Sequence, residues 1–274
     1  NIPWLSLIWL SMVVPAVVIA LIPSGRKEAM RWVGAGFALL SLLLSVLVWL
    51  GYDPARGGFQ FVERLPWVPQ LGISYLLGVD GVSIPMLLLN GVVIFTGALM
   101  SWNIEERVKE YCVLLSLLTT GVYGVFVALG LFLLFVFYEL AVLPMYLLIG
   151  VWGSTRKEYG AMKLTLFLMA GSALTIVGML GLYFGSGLRT FDMIVLSQNI
   201  TIAGELQRIF FLPMFVGFAI LAGMFPFHTW SPTGHVAAPT AVSMLHAGVL
   251  MKLGAYGCLR AALWLMPAGA QQWL

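Results

Sequence analysis

Charged residues are scarce in this chain of 274 residues: 9% are Asp, Glu, Lys or Arg, whereas 61% are hydrophobic. A soluble domain carries about 25% charged residues, so this composition cannot cover a water-facing surface. A single compact soluble core is excluded as well, because apolar runs of about 20 residues, the length that crosses a bilayer, recur from end to end. The scarcity of charge therefore predicts a protein whose solvent is lipid.

The chain also has few cysteines and little alternation of apolar and polar residues. Cys112 and Cys258, the two cysteines, lie far apart within apolar segments, which argues against a disulfide framework or a metal site. An outer-membrane barrel would alternate apolar and polar residues over about 10 positions, and this sequence does not. Because a backbone in lipid must satisfy its own hydrogen bonds, the long apolar blocks should be helices. We predict an all-α, polytopic transmembrane bundle of about eight helices, forming one domain over residues 1–274.

Windowed hydropathy places the membrane segments and the loops. The segments lie near 3–22, 31–51, 83–102, 111–130, 131–152, 160–186, 209–225 and 240–266. The first has no basic region before it and no small-residue cleavage pattern after it, so we expect a retained helix and not a signal peptide. The aromatic residues and alternation of loop 52–82 favour a short hairpin or an interfacial segment, whose expected role is to pack over the helix ends.

The basic residues predict the orientation. The short loops after segments one, three and five, which all lie on the same side of the membrane, carry them at Arg26, Lys27, Arg31, Arg107, Lys109, Arg156 and Lys157. Positive charge in short loops marks the cytoplasmic side. We therefore expect a multi-pass protein of the cell inner (plasma) membrane with its N-terminus and loop 52–82 on the outer face.

A few charged residues fall inside the apolar segments. A charge at the bilayer centre costs at least about 2.5–3.5 kcal/mol, so Glu139 and Lys252, both deep in their segments, indicate a proton or ion path. The alternatives are a structural Glu139 tied to another subunit and a fixed ion pair at Lys252. Lys163 is only slightly inside segment six, where snorkelling to the interface competes with a transport role. Arg260, near the end of segment eight, is expected to snorkel and is assigned no role.

A proline-rich run near 221–238 predicts a broken membrane helix. Irregular backbone at membrane depth is tolerated where protein covers it or water lines it, and transporters use such breaks at ion sites. The predicted break residues are Pro144 (a kink beside Glu139), Pro226, Pro232 and Pro239. His228, His235 and His246 lie in or just after the run, and a water-lined proton relay is the favoured interpretation. A zinc site is disfavoured because no carboxylate or cysteine accompanies them, and a histidine that simply hydrogen-bonds a neighbour is the remaining alternative.

Three stretches resemble a known family. Residues 137–153, 226–243 and 247–257, together with 67–70 and 78–81 of the long loop, are similar to the antiporter-like M subunit (chain 4) of respiratory complex I, which is related to Mrp-type cation/proton antiporter subunits. The resemblance implies a proton-translocating subunit of a NADH:quinone oxidoreductase with no redox centre, catalytic site or metal of its own. It also implies that flavin, iron–sulfur clusters and quinone belong to partner subunits, both membrane and peripheral. Nucleic acid is not expected as a partner, because the basic residues lie in short loops and indicate topology.

The resemblance also implies roles for single residues. Glu139 matches the essential glutamate of the family's fifth helix, and Lys252 matches the lysine of its eighth. His228 and His235 fall in the broken seventh helix, and Lys163 matches a lysine at the start of the sixth.

The sequence departs from the family in two ways. Leu221 stands where the family carries a lysine five residues before the proline that matches Pro226, and His246, at a position usually apolar, is a candidate replacement. The family has roughly fourteen helices in two inverted repeats, so this chain of about eight corresponds to the N-terminal portion with most of the first repeat. The alternatives are a subunit of a multi-subunit cation/proton antiporter or membrane-bound hydrogenase, and a non-transporting scaffold, which Leu221 favours.

Overall fold

Among the residues that the structure describes, eight helices are long and apolar enough to cross a membrane, as the sequence predicts, and the chain is an integral membrane protein. The computed structural model describes residues 2–199 and 204–273. The spans are Trp4–Leu21, Lys27–Gly51, Ser83–Asn103, Val108–Val127, Leu131–Trp152, Lys157–Gly185, Gly204–Ala237 and Thr240–Leu263. The seventh differs most from its predicted bounds, because the chain returns to helix after the break.

The helices are numbered in chain order. Their bounds are Trp4–Leu21 (α1), Lys27–Gly51 (α2), Ser83–Met100 (α3), Val108–Val127 (α4), Leu131–Trp152 (α5), Lys157–Gly185 (α6), Met193–Gln198 (α7), Gly204–Ala222 (α8), Trp230–Ala237 (α9), Thr240–Leu245 (α10), Met251–Gly257 (α11) and Pro267–Trp273 (α12). The last span also contains two π-helical turns, which lie at His246–Leu250 and Cys258–Leu263.

The long loop forms the predicted hairpin. Strand β1 (Gln60–Val68) pairs antiparallel with β2 (Ile73–Val79). Its register places the hairpin over the α4–α5 connection, where the Leu129 N–H donates to the Leu76 carbonyl at 2.9 Å. The hairpin therefore packs over the helix ends as expected, and it adds a small sheet to a chain that is otherwise helical.

The short basic loops lie together at one end of the bundle. Lys27 and Arg31 of α2 form salt bridges with Glu105 at 3.2 and 2.8 Å. Trp152, at the end of α5, donates to the Glu106 carbonyl at 2.7 Å. We call this the basic end, and the opposite end, which carries β1 and β2, the hairpin end. The alternation of the loops is confirmed, whereas which end faces the cytoplasm stays a prediction.

The α4–α5 contact is made close by glycine. A Cβ atom at Gly121 would lie 2.5 Å from the Ala141 nitrogen and 2.7 Å from the Phe137 oxygen. Small residues let helix backbones approach in this way inside membranes. The contact fixes the part of α5 that carries Glu139.

The seventh span is broken as predicted. Helix α8 ends at Ala222, and Gly223, with φ +69°, takes a left-handed conformation that glycine adopts without strain. Pro226 lies in the interruption before α9, and Pro239 lies between α9 and α10. Both prolines are helix breaks, as the sequence predicts.

Two other predicted break residues, Pro232 and Pro144, lie within continuous helices, and the kink at Pro144 stays a prediction. Pro232 lies in the first turn of α9, where the missing N–H has no helical partner to lose. Pro144 lies inside α5, and the helix continues through it from Leu131 to Trp152. In a membrane bundle, neighbouring helices can support a helix that lacks one backbone hydrogen bond.

The close contact at Gly121 predicts the effect of one methyl group. Gly121→Ala should lower the free energy of unfolding by about 1–3 kcal/mol, the usual cost of overpacking. Gly36→Ala, inside α2 with no atom within 4 Å of the new methyl, should instead raise it by about 0.5–1 kcal/mol. Thermal unfolding of the purified protein in detergent measures both variants, and an equal response would contradict the close α4–α5 contact.

Candidate functional site

Glu139 of α5 is half-buried and is held by a neutral donor. The Ser172 hydroxyl of α6 donates a hydrogen bond to Glu139 Oε1. The neighbouring Tyr138 ties the same turn of α5 to α6 through the Leu168 carbonyl at 3.4 Å. Within residues 2–199 and 204–273 no lysine or arginine forms a salt bridge with Glu139. Its carboxylate therefore has a hydrogen-bond donor but no counter-ion in this part of the chain.

Two of the three histidines form a stacked pair. The His235 ring of α9 and the His246 ring, at the start of the first π turn, have centroids 4.1 Å apart and planes 23° apart. Trp230 also stacks on His246, with a centroid distance of 5.2 Å. The fully buried Trp230 is fixed by donating to the Ile220 carbonyl of α8 at 3.0 Å. The broken span thus contributes two rings that pack on a histidine of the next span.

His246 is wholly buried, and neither of its ring nitrogens has a hydrogen-bond partner among the described residues. His235 is half-buried, and its Nδ1 lies 3.0 Å from the Ser243 hydroxyl of α10. A buried polar group left unpaired costs about 1–3 kcal/mol. A residue kept at that cost inside a membrane bundle is a candidate for function.

Lys163 turns toward the broken span. Its Nζ lies 3.4 Å from the Thr233 hydroxyl of α9, and 6.0 Å from the centroid of the Tyr159 ring. Lys163 is half-buried, so it combines a contact inside the bundle with partial access to the surface. We define the α9 cluster as Lys163, Trp230, Thr233, His235 and His246.

Lys252 lies on the outside of this chain. It is exposed, and its Nζ donates to the Ala247 and Gly248 carbonyls at 3.1 and 2.7 Å. Both carbonyls belong to the first π turn, a distortion that is frequent at functional sites. Among the described residues the His246 ring nitrogens have no hydrogen-bond partner, so no direct hydrogen bond joins His246 to Lys252. Lys252 and Glu139 form no salt bridge with each other in the same part of the chain.

His228 is separate from the other histidines. It is exposed in the interruption between α8 and α9, and its ring lies 5.7 Å from that of Phe225. The structure therefore brings together His235 and His246 and leaves His228 outside the α9 cluster.

Arg260 was expected to snorkel, and this expectation is wrong. Its guanidinium is buried and forms a salt bridge with Asp80, which precedes α3 at the hairpin end. It also lies 5.2–5.6 Å from the centroids of three aromatic rings, which belong to Phe59, Tyr256 and Trp264. In the sequence, Asp80 lies just before the third span and Arg260 lies near the end of the last span, so both are expected at the same membrane depth. This shared depth was the sequence signal for the pair.

The environment of Asp80 favours its charged form. Burial alone would raise the pKa of Asp80, but the hydrogen bond and charge of Arg260, with hydrogen bonds from Ser83, outweigh it and hold the pKa below its ordinary value. The salt bridge therefore ties the loop before α3 to the end of the last span at neutral pH.

Metal binding finds no support in the geometry. No cluster of three or more His, Cys, Asp or Glu residues that could hold a metal ion occurs among the residues that the structure describes.

Comparisons with known proteins identify the family of the chain. A family profile described as "NADH:quinone oxidoreductase/Mrp antiporter, TM" matches residues 128–274, a range that includes Glu139, Lys252 and the α9 cluster. The chain is 38% identical to "NADH-quinone oxidoreductase subunit M" of Rhodobacter capsulatus, over 97% of this chain and 54% of that protein. It is 37% identical to "NAD(P)H-quinone oxidoreductase chain 4-2" of Synechocystis sp., over 97% of this chain and 48% of that protein.

A solved structure, "Respiratory complex I from Thermus thermophilus with bound NADH", contains a chain with the same fold. The TM-score is 0.86 at 28% identity, and the match covers 98% of this chain and 54% of that one. The chain spans about half the length of the curated relatives it matches. These findings confirm the resemblance that the sequence motifs indicate.

The buried salt bridge predicts a pH-dependent stability. Asp80→Asn should lower the free energy of unfolding by about 3–5 kcal/mol, because it leaves the Arg260 charge buried and unpaired. Since the folded pKa of Asp80 is lowered, the stabilisation is fully present above the ordinary pKa of about 4 and is lost as the pH falls through the lowered value. Melting temperatures of wild type and variant should therefore converge in acid. Asp53→Asn, in the exposed part of the same loop, is the control, and a parallel pH profile for wild type and Asp80→Asn would contradict the assignment.

Proposed function

Because the chain belongs to the NADH:quinone oxidoreductase/Mrp antiporter transmembrane family, we propose that it is a proton-translocating membrane subunit of a NADH:quinone oxidoreductase. One observation carries the proposal: Glu139 is half-buried within a membrane span, with a serine hydroxyl as its partner and no counter-ion among the described residues. A carboxyl group kept at this energetic cost inside a membrane marks a proton path by default.

The chemistry of Glu139 and Ser172 suits proton exchange. The ionised carboxylate accepts the Ser172 hydrogen bond, and the protonated acid can donate to the same hydroxyl oxygen, so both states of Glu139 have a partner. Ser172 and Lys163 are nine residues apart on α6, or about 14 Å along the helix axis. A proton that passes from Glu139 to the α9 cluster therefore needs intervening carriers, and water is the natural one.

The α9 cluster supplies groups that can receive and pass a proton. A neutral imidazole binds a proton at one nitrogen and can release one from the other, and both nitrogens of His246 are unengaged. The first π turn then joins His246 to Lys252, whose ammonium is held by that turn. We place the route through Glu139, the α9 cluster and Lys252, with His228 as a further group in the interruption.

The surroundings of the chain follow from the same proposal. Lys252 is exposed on a membrane span, so a protein or water-filled surface should cover it. Other membrane and peripheral subunits of the complex are the expected partners, and flavin, iron–sulfur clusters and quinone are expected in those subunits. The basic end is placed on the cytoplasmic side of the inner membrane by the positive-inside rule.

Glu139→Gln tests the proposal directly. The glutamine keeps the shape and a hydrogen bond to Ser172 but cannot carry a proton, so NADH-driven proton transport by the assembled complex in proteoliposomes should fall by about 100-fold. Glu158→Gln, at an exposed acid in the first turn of α6, is the control and should not change transport. Unchanged transport by Glu139→Gln would favour the non-transporting scaffold.

A cation/proton antiporter subunit is the second candidate, because the matching family description covers both classes. The subunits that copurify with the chain discriminate between them. Flavin and iron–sulfur absorbance in the purified complex supports the oxidoreductase or a hydrogenase, and a complex without them supports the antiporter.

His246 is proposed to take the place of the lysine that the resemblance puts at Leu221. Trp230 supports this proposal, because its indole donates to the Ile220 carbonyl and its ring stacks on His246. The Trp230 side chain thus lies between the His246 imidazole and the backbone next to position 221. His246→Leu should therefore lower proton transport several-fold in an assembled complex, and adding Leu221→Lys should restore part of it. Transport by His246→Leu at the wild-type rate would end this assignment.

A further inference from the structure

A cavity of about 30 Å³ lies between α1, α2, α3 and α4, away from Glu139 and the α9 cluster. It begins near Arg31 at the basic end. Its lining includes the polar or sulfur-bearing side chains of Arg31, Ser101, Cys112 and Ser116. None of these residues has a part in the route proposed above.

On three helices, the face that lines the cavity also carries polar residues farther from the basic end. On the third span, the lining residues Ser101 and Ile94 are followed on the same face by Asn90. On α2, Ala38 is followed by Ser41 one turn later, and on α4 Ser116 is followed by Thr120 and Tyr123. Positions three or four residues apart share a helix face, so the three faces that enclose the cavity meet again at these polar residues.

The polar residues at that level contact one another. The Tyr123 hydroxyl donates to Ser41 Oγ at 3.2 Å, and Ser45 Oγ, whose hydroxyl donates to the Ser41 carbonyl at 2.8 Å, lies 3.4 Å from Tyr123 Oη. Tyr123 Oη also lies against α3, because a Cβ atom at Gly91 would be 3.2 Å from it. Asn90 is the residue next to Gly91, so its amide and these hydroxyls belong to the same layer of the bundle.

Asn90 is the unexplained member of this layer. It is completely buried, and neither its Nδ2 nor its Oδ1 has a hydrogen-bond partner among the described residues. A carboxamide can donate two hydrogen bonds and accept two, and a buried polar group without partners is costly, above all inside a membrane protein. Buried water usually bridges such groups, with about three hydrogen bonds each.

We infer that α2, α3 and α4 enclose a water-binding polar file, in which ordered water joins the Asn90 amide to the Tyr123, Ser41 and Ser45 hydroxyls and continues through the cavity toward Arg31. A water molecule needs about 10–15 Å³ of such space, so the cavity near Arg31, which Asn90 and Tyr123 do not line, takes about two at its end of the file. The ligand of the site is water. Apart from Arg31 at the basic end, the donors and acceptors that hold it are neutral side chains.

The polar file is separate from the Glu139 site. Glycine 121 of α4 packs against α5, whereas Tyr123, on a different face of α4, bonds to α2. The two polar regions thus lie on different sides of the most deeply buried span of the bundle.

X-ray radiolytic labelling of the intact complex tests the inference, since radiolysis of bound water oxidises the side chains beside it. Met12 and Cys112 line the cavity, and Met214 is the control, because it is fully buried and packed against Gly178 outside the file. Met12 and Cys112 should be oxidised several-fold faster than Met214. Labelling of all three at the same slow rate would overturn the inference.

Two variants locate the water. Asn90→Leu, similar in size but apolar, should abolish most of the labelling at Tyr123, whereas Thr96→Val should not, because the Thr96 hydroxyl bonds only to carbonyls of its own helix. Tyr123 labelling that is unchanged in Asn90→Leu would overturn the role of Asn90.

The Glu139→Gln variant tests the water-binding polar file separately from the proposed function. It should leave the labelling of Met12, Cys112 and Tyr123 unchanged even where it stops proton transport. A loss of labelling in Glu139→Gln would show one connected water network and would overturn the separation of the two sites.

Discussion

The energetic cost of a polar or ionisable group in hydrocarbon is the constraint on which this structure depends. The bundle offsets this cost in a different way for each buried polar group. Arg260 is neutralised by Asp80 and surrounded by aromatic rings, which makes a fixed connection. Among the described residues, Glu139 has the Ser172 hydroxyl as its hydrogen-bond donor, and His246 has stacked rings but no hydrogen bond. The less completely a buried group is satisfied by its own chain, the better it suits a role in which its protonation state changes.

The interruption of the seventh span brings the candidate site together. Gly223 lets α8 end within the membrane, and the chain then resumes as α9, which presents His235 to His246 and Thr233 to Lys163. An unbroken helix would carry these residues along one straight axis. The break instead allows α9 to pack against both α6 and the last span, so three spans contribute to one cluster.

Glycine allows this packing to be close. At Gly121 the backbone of α5 comes into contact with α4, and at Gly160 a Cβ atom would meet the Ala237 side chain of α9 at 2.7 Å. Helices in membranes associate through such small residues because lipid offers no hydrophobic driving force between them.

The sequence by itself determined the eight spans, the hairpin, the broken seventh span and the family, since all of these follow from apolar length, proline and glycine positions and local motifs. Tertiary structure alone decided which buried groups meet. Along a helix the sequence fixes depth, but a span that is apolar on every side carries no stripe that tells which face points at which neighbour. For this reason Arg260 was expected to snorkel but forms a salt bridge, and His228 was grouped with two histidines from which it is separate. The sequence also gives no sign that Asn90 is buried without a partner. Pro144 likewise was expected to break a helix that its packed neighbours hold continuous.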